Sequence, residues 1–102
     1  MKTVYIAHPL RGDVVKNYNR VNEICRQLHA TGQVIPLSPL HAFSFVDPAG
    51  DQDRVFEYCR QLLSKCDELW LHGEWEKSEG CCMEADFARD NGIPVLVKER
   101  VS

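Results

Sequence analysis

The chain has 102 residues, of which 44% are hydrophobic and 26% charged, and this predicts one globular domain over residues 1–102 with a single core. Its formal net charge is −3, and no basic run is interleaved with aromatic residues. Both features argue against duplex nucleic acid as a partner.

The first part of the chain predicts a strand, a helix and a second strand. Residues from Lys2 to Ala7 are β-branched and aromatic, which is typical of a strand, and a proline and a glycine in residues 8–12 interrupt it. Apolar residues then recur at helical spacing from Val14 to Leu28, and Gly32 is expected to end that helix. Val34-Ile35 opens the second strand. Residues 36–50 carry three prolines and no period, which predicts a long loop of the kind that often has a function.

The second part of the chain continues the alternation of helices and strands. The spacing predicts a helix from Val55 to Cys66, a strand from Glu68 to His72, a helix from Gly80 to Asn91 and a strand from Pro94 to Lys98. Such alternation implies right-handed crossovers and a parallel sheet. We therefore predict an α/β fold, a three-layer Rossmann-like or flavodoxin-like open sheet of about four strands in the order 2-1-3-4, with helices on both faces.

This architecture predicts where a ligand binds, because open parallel sheets bind ligands at the carboxyl ends of their strands. That edge is expected to hold Tyr5 to Arg11, Pro36 to Pro48, His72 to Ser78, and Glu84. Asp67 precedes a strand, lies at the opposite edge and is interpreted as structural.

The stretch from Leu69 to Glu84 reads as a strand, a polar loop and a helix that begins near Ser78 or Gly80. Free backbone N–H groups, a hydroxyl and the positive end of a helix dipole suit an anionic or polyhydroxylated ligand. Three helical neighbours of Glu84 are small, which predicts open space above its carboxylate: Gly80, Cys81 and Ala88. The alternative is an acidic residue that complements the dipole and a serine N-cap, each contributing about 1 kcal/mol or less.

Other features exclude several classes of protein. The segment Met1–Pro9 has one basic residue and too short an apolar run for a signal peptide, and no stretch approaches the ~20 apolar residues of a membrane span, so we expect a cytoplasmic protein. The five cysteines mostly fall at helix-core spacing, which predicts reduced thiols. Cys81 and Cys82 are adjacent and have no CxxC or HxxxH partner, so neither a metal site nor a cofactor is expected.

Motifs along nearly the whole chain resemble the nucleoside 2-deoxyribosyltransferase superfamily, which includes the related 2'-deoxynucleoside 5'-phosphate N-glycosidases. The likeness is closest to short members. The matching positions are Tyr5, Pro9-Leu10-Arg11-Gly12, Cys66-Asp67, Ser78-x-Gly80-x-x-x-Glu84-x-x-x-Ala88 and Gly92-Ile93-Pro94-Val95.

The resemblance implies catalytic roles for Glu84, which would attack the anomeric carbon of the sugar, and for Tyr5, which would orient that carboxylate. It also implies that a phosphate binds at Ser78 and that the loop Leu10–Gly12 closes over the ligand. Arg11 would then pair with the phosphate, although an exposed loop arginine is an equally good interpretation.

Displacing a base requires a proton donor as well as a nucleophile. The superfamily usually places an aspartate about eight residues before the position of Asp67, where this chain has Cys59. Three other aspartates lie nearby in sequence, and the spacing does not select among Asp47, Asp51 and Asp53.

Histidines and aromatic residues complete the predicted site. His41, Phe43 and Phe45 of the long loop could stack on a base or ribose, and Trp75 could cover the pocket; the alternative is a loop that folds onto its own small core. We expect His41 and Trp75 to contact the ligand, and Phe45 and Trp70 to lie in the core. His8 is suited to a sugar hydroxyl or a leaving base. The predicted substrate-binding residues are thus His8, Pro9, Arg11, Gly12, His41, Trp75, Ser78 and Gly80.

The preferred function is cleavage or transfer of an N-glycosidic bond in a small (deoxy)nucleoside or nucleoside 5'-monophosphate. The alternatives are a non-catalytic nucleotide-binding protein that senses or sequesters its ligand, and an assembly subunit with a vestigial pocket. We also expect a homo-oligomer, because so small a sheet leaves edges uncovered and the superfamily's members complete their sites across dimers.

Overall fold

The computed structural model describes residues 1–98, which alternate between strands and helices. The elements are β1 (Lys2–Ala7), α1 (Val14–Thr31), β2 (Val34–Leu37), α2 (Pro39–Ala42), α3 (Gln52–Leu63), β3 (Glu68–Leu71), a 3-10 turn (Trp75–Lys77), α4 (Glu79–Asp90) and β4 (Val95–Val97). The boundaries agree with the predicted ones to within about three residues at most ends.

The four strands form one parallel sheet in the order β2-β1-β3-β4, which confirms the predicted fold class and strand order. In its register Tyr5 lies between Leu37 of β2 and Leu69 of β3. At the opposite end of the sheet, Oδ2 of Asp67 accepts a hydrogen bond from the backbone N of Thr3 at 2.8 Å. This contact agrees with a structural role for Asp67.

The core lies in two clusters, one on each face of the sheet. Val4 and Ile6 are fully buried with Val21 of α1 on one face. Tyr5 and Ala7 point to the other face, where they pack with residues of β3, α3 and α4. The alternation of side chains along β1 therefore builds both layers and gives the three-layer arrangement.

The helices begin at residues whose side chains accept backbone hydrogen bonds. Asp13 caps α1 through Lys16 N at 3.0 Å, and Asp51 caps α3 through Arg54 N at 3.1 Å. Gly32 ends α1 with a φ of 66°, as the sequence predicts. Each cap satisfies a backbone donor that the helix itself leaves without a partner.

The segment 36–50 differs from the predicted loop. Pro36 and Leu37 extend β2, and a short helix, α2, follows because Ser38 Oγ accepts from His41 N at 3.3 Å and Pro39 fits a first helical position. The predicted core position of Phe45 is wrong. Its side chain is 78% exposed and meets the ring of Phe43 edge-on, outside both core clusters.

Other side chains lie where the pattern places them or close to it. Trp70 packs partly buried against the α1-side cluster, and Nζ of Lys98 lies 4.2 Å from its ring centroid. The five cysteines are free thiols, three of them buried. Among residues 1–98 there is no helix long and apolar enough to cross a membrane.

Candidate active site at the carboxyl edge of the sheet

A cavity of about 690 Å³ lies at the carboxyl ends of the strands, the edge that the parallel topology predicts for a ligand. Its walls come from the loops that follow β1, β2 and β3 and from the facing sides of α1, α3 and α4. We define its floor by four lining residues of α3 and α4, namely Phe56, Cys59, Cys81 and Glu84.

Glu84 and Tyr5 form a hydrogen-bonded pair at this floor. The hydroxyl of Tyr5, a fully buried residue in the middle of β1, donates to Oε2 of Glu84 in the second turn of α4. Oε1 of Glu84 accepts no hydrogen bond from residues 1–98, and the side chain stays partly open to the cavity. One oxygen of the carboxylate is therefore held while the other is available to a ligand.

Burial sets the protonation of this pair. It raises the pKa of Glu84 to about 7, and the hydrogen bond from Tyr5 partly opposes that rise because it favours the charged carboxylate. Burial and the neighbouring carboxylate raise the pKa of Tyr5 well above its ordinary value. Near neutral pH the phenol is therefore a constant donor, and Glu84 exists in both protonation states.

Cys59 lies beside this pair, at the position where the resemblance leads one to expect an acid. Its thiol interacts with the Tyr5 hydroxyl, and its pKa is raised to about 11, first by burial and then by the charge of Glu84. Burial likewise raises the pKa of Cys81 to about 12. Both floor thiols therefore remain protonated and neutral at physiological pH.

The start of α4 forms the wall above Glu84. Ser78 is the N-cap of this helix, and its Oγ accepts from Cys81 N at 3.2 Å, so the capping role considered from the sequence is present. Gly80 faces Phe56, and a Cβ at Gly80 would lie 3.4 Å from the ring carbon Cε1. Ser78 and Gly80 both line the cavity, as does Lys77 just before them.

The loop after β1 closes a second wall and includes Pro9, Arg11 and Gly12. The side-chain amide of Asn17 donates to the carbonyls of Leu10 at 3.0 Å and Arg11 at 3.3 Å, which holds the loop against α1. Pro9 and Arg11 line the main cavity, whereas Gly12, with a φ of 99°, lines a smaller pocket beside it.

His8 lies behind that loop, 6% exposed. Its Nδ1 is 2.7 Å from the carbonyl of Pro9, so this nitrogen carries the proton and donates, and Nε2 is left as an acceptor. Nε2 is buried without a partner in residues 1–98 and lies against Gly73, where a Cβ would come within 3.0 Å of it. Burial lowers the pKa of His8, which keeps the ring neutral.

His41 and Trp75 are not among the residues that line the cavity. Nε2 of His41 is 3.2 Å from Oδ1 of Asn22, and its ring packs on Tyr18 at a centroid distance of 4.9 Å. Trp75 packs against the core cluster below α4, with its Nε1 buried. The structure therefore leaves these two outside the site. It brings six predicted residues around the cavity, with Tyr5 bonded to Glu84 and Gly12 in the adjoining pocket: His8, Pro9, Arg11, Ser78, Gly80 and Glu84.

Phe43, Gly73 and Lys77 line the cavity and lie in the segments that the topology places at this edge, and the ring centroid of Phe43 is 5.4 Å from that of Tyr58. Sequence reasoning missed Phe56 of α3, which lines the cavity as well. The signal for Phe56 was its position three residues before Cys59, which places both on one face of a helix.

Of the three aspartates that the sequence left open, only Asp47 lines the cavity. It is exposed, and its Oδ1 accepts from Ala49 N at 2.9 Å. Asp51 caps α3, and Asp53 lies exposed in the first turn of that helix.

Comparison with family models finds one match, which extends over residues 2–98. The chain belongs to the family described as Domain of unknown function (DUF7768). A comparison of this DUF7768 chain with curated proteins found no match.

Solved structures resemble the DUF7768 chain at low sequence identity. The 2-deoxyribosyltransferase from Bacillus psychrosaccharolyticus gives a TM-score of 0.73 at 18% identity, over 95% of this chain and 72% of that one. The 2-desoxiribosyltransferase from Leishmania mexicana gives a TM-score of 0.70 at 20% identity, over 97% of this chain and 65% of that one. A conserved protein from Enterococcus faecalis V583 gives a TM-score of 0.67 at 22% identity, over 93% of this chain and 61% of that one. The chain therefore has the 2-deoxyribosyltransferase fold predicted from its motifs, and it spans about two thirds of the length of these proteins.

Proposed function

We propose that this protein cleaves or transfers the N-glycosidic bond of a small nucleoside or nucleoside 5'-monophosphate. The observation that carries the proposal is the Glu84 carboxylate on the cavity floor, held through one oxygen by Tyr5 and open through the other. The fold shared with two 2-deoxyribosyltransferases supports a reaction of this class.

In the proposed mechanism Oε1 of Glu84 attacks the anomeric carbon while the bond to the base breaks. Tyr5 fixes the orientation of the carboxylate and favours its charged form, the form that acts as a nucleophile. The glycosyl ester is then released by water in a hydrolase or by a second base in a transferase.

The sugar and its phosphate are proposed to bind along the walls. A 5'-phosphate would lie at the start of α4, near Ser78 and Gly80, where backbone N–H groups and the helix dipole favour an anion. Arg11 lines the same cavity, and its guanidinium would pair with that phosphate. His8, Pro9 and Gly12 would shape the sugar side of the site.

A second candidate is a protein that binds a nucleotide without converting it. The observation in its favour is Cys59, a thiol with a pKa of about 11 at the place where a proton donor for the base is needed. Such a protein would bind nucleosides or nucleotides in the same cavity and release no base.

One experiment separates the two candidates. The wild type and Glu84→Gln are incubated with a panel of deoxynucleosides and their 5'-monophosphates, and free base is measured by chromatography. Asp86→Asn is the control, because Asp86 is an exposed carboxylate on the same helix outside the cavity. Base release by the wild type and the control but not by Glu84→Gln is expected, whereas tight binding without base release would favour the second candidate.

The protein is also proposed to be a homo-oligomer. Phe45 is 78% exposed and Tyr58 37% exposed, and both contact Phe43 beside the cavity. Three neighbouring aromatic rings of which two reach solvent form an apolar surface of the kind that subunit interfaces cover.

A further inference from the structure

The floor of the cavity lacks an acid that could protonate a departing base. Three polar groups surround Glu84 there, namely the phenol of Tyr5 and the thiols of Cys59 and Cys81. All three hold their protons tightly in this environment, because burial and the nearby carboxylate disfavour their anions. None of the three groups has a pKa near neutral pH, so none is suited to donate a proton to a departing base there.

The other carboxyl groups that line the cavity belong to Asp47, Glu74 and Glu79, and all three side chains are exposed. Asp47 accepts from Ala49 N, and Glu74 forms an ion pair with Lys77 at 3.4 Å. Glu79 lies exposed in the first turn of α4. Within residues 1–98, Glu84 is therefore the only carboxyl group on the floor, and one residue cannot attack the sugar and protonate the base in the same step.

We propose that the substrate is an N-glycoside whose leaving group already carries a positive charge, such as an N-ribosyl pyridinium or an N7-alkylated purine nucleoside. This inference rests on the proposed function and names its substrate class. A leaving group of this kind departs as a neutral heterocycle and needs no proton donor.

The charges around Glu84 favour the same class. No lysine, arginine or histidine of residues 1–98 forms an ion pair with Glu84, so its buried carboxylate has only the Tyr5 hydroxyl as a partner. A cationic ring beside the sugar would supply the missing positive charge. Two phenylalanines, Phe43 and Phe56, line the same cavity, and aromatic rings attract cations. An anionic leaving group would instead be repelled by Glu84.

The reaction balances without a further reagent. The C1'–N bond breaks, its electron pair neutralises the positive ring nitrogen, and a bond forms between C1' and Oε1 of Glu84. Water then attacks C1', the ester bond breaks, and the carboxylate returns. The sum converts a cationic glycoside and water into a neutral sugar, a neutral heterocycle and one proton.

The first test compares two substrates that differ by a methyl group and a charge, guanosine and 7-methylguanosine, with nicotinamide riboside as a pyridinium. Free base is measured for the wild type and Glu84→Gln, and 2'-deoxy forms of the two purine nucleosides are run in parallel. Because a general acid contributes about 10²–10⁴-fold, kcat/KM for the cationic substrates should exceed that for guanosine by at least ~100-fold. The activity should be lost in Glu84→Gln.

The second test adds the missing acid. Cys59→Asp should increase the ratio of kcat/KM for guanosine to kcat/KM for nicotinamide riboside relative to the wild type. Cys59→Asn is the matched control, because it has the same shape without an acid, and it should not increase guanosine cleavage. The wild-type substrate comparison decides the question even if Cys59→Asp does not fold.

The outcomes distinguish this inference from the proposed function on which it rests. Equal or faster cleavage of guanosine by the wild type would overturn the cationic substrate class and leave the glycosidic activity standing. Release of base from none of the neutral or cationic substrates would overturn both.

Discussion

The hydroxyl of Tyr5 donates a hydrogen bond to the carboxylate of Glu84 across a sequence separation of 79 residues. Tyr5 is fully buried in a central strand, so its ring has no room to turn away from the helix that carries Glu84. The rigid strand thus fixes the orientation of a carboxylate at the cavity floor. This relationship predicts effects on stability, on the pH dependence of activity and on ligand binding.

Glu84 is expected to make the folded state less stable as pH rises. The pKa of Glu84 is about 7 in the folded protein and near its ordinary value of 4.5 in the unfolded chain. Between these two pH values the folded state binds more protons than the unfolded state, so the free energy of unfolding falls as pH rises. Above pH 8 the free energy of unfolding is lower than at acid pH by at most about 3 kcal/mol. Glu84→Gln removes this effect and should be more stable than the wild type at pH 8.5 but not at pH 4.

Urea denaturation at several pH values measures this difference. Asp86→Asn is again the control and should follow the wild-type pH dependence. Parallel stability curves for the wild type and Glu84→Gln would show that the carboxylate is not held in a buried environment.

The fold could be predicted because its signals are local and repeated. The β-branched and aromatic run of β1 and the helical period from Val14 to Leu28 each extend over several residues, and the capping residues mark the ends. The short helix α2 was missed because four residues hold too few positions to show a period. Its signals, Ser38 as N-cap and Pro39 at the first position, lie among prolines that also favour a loop.

The site could be predicted only in part. The topology brings the ends of the strands to one edge, which correctly placed His8, Arg11, Ser78 and Glu84 around one cavity. It does not fix the direction of a side chain in the segment that follows β2, and His41, in the short helix α2, points to Asn22 of α1. The cavity contact of Phe56 depends on the packing of α3 against α4, of which the sequence shows only the helical spacing of Phe56 and Cys59.

Tyr5→Phe should shift the pH dependence of base release to higher pH. The hydrogen bond from Tyr5 lowers the pKa of Glu84, so its removal raises that pKa and reduces the nucleophilic fraction at a given pH. The loss of kcat/KM is expected to be larger at pH 6 than at pH 9. Phe keeps the ring in the core but leaves the buried Glu84 carboxyl group without its partner, so stability should fall by about 1–3 kcal/mol.

Initial rates over pH 5–9 for both proteins check this prediction. An equal loss of kcat/KM at every pH would mean that Tyr5 orients the carboxylate without influencing its charge. No loss at all would exclude Tyr5 from the chemistry.

The phosphate proposal predicts opposite effects of two substitutions at Ser78. Asp and Asn both cap helices well, so Ser78→Asp and Ser78→Asn should keep the stability of α4 within about 1 kcal/mol. Ser78→Asn should keep tighter binding of nucleoside monophosphates than of nucleosides, a preference of about 1–3 kcal/mol for charge-assisted hydrogen bonds. Ser78→Asp should lose that preference, because its charge repels the phosphate.

Titration calorimetry with a nucleoside and its 5'-monophosphate measures this preference. Arg11→Ala should weaken only the phosphorylated ligand if Arg11 is its partner. Equal affinity of the wild type for the two ligands would mean that this wall contacts sugar hydroxyls instead.

The oligomer proposal predicts that the mass in dilute solution is at least twice the 11.7 kDa of one chain. Phe45→Ser should lower that mass, because it removes the most exposed ring of the aromatic cluster. Ile35→Thr is the control, since Ile35 is a 44% exposed apolar residue on the edge strand β2, away from that cluster. Light scattering of the three proteins measures the masses, and a wild-type mass of 11.7 kDa would contradict the proposal.

The most direct test of the central claim is to trap the sugar on Glu84. The protein is mixed with the substrates that release base, quenched in acid within the first turnover, and analysed by mass spectrometry of the intact chain and its peptides. We predict that the wild type gains the mass of one glycosyl group on the peptide that contains Glu84, and that Glu84→Gln gains none. Base release by Glu84→Gln at the wild-type rate, or a glycosyl group on a different residue, would contradict the assignment of Glu84 as the nucleophile.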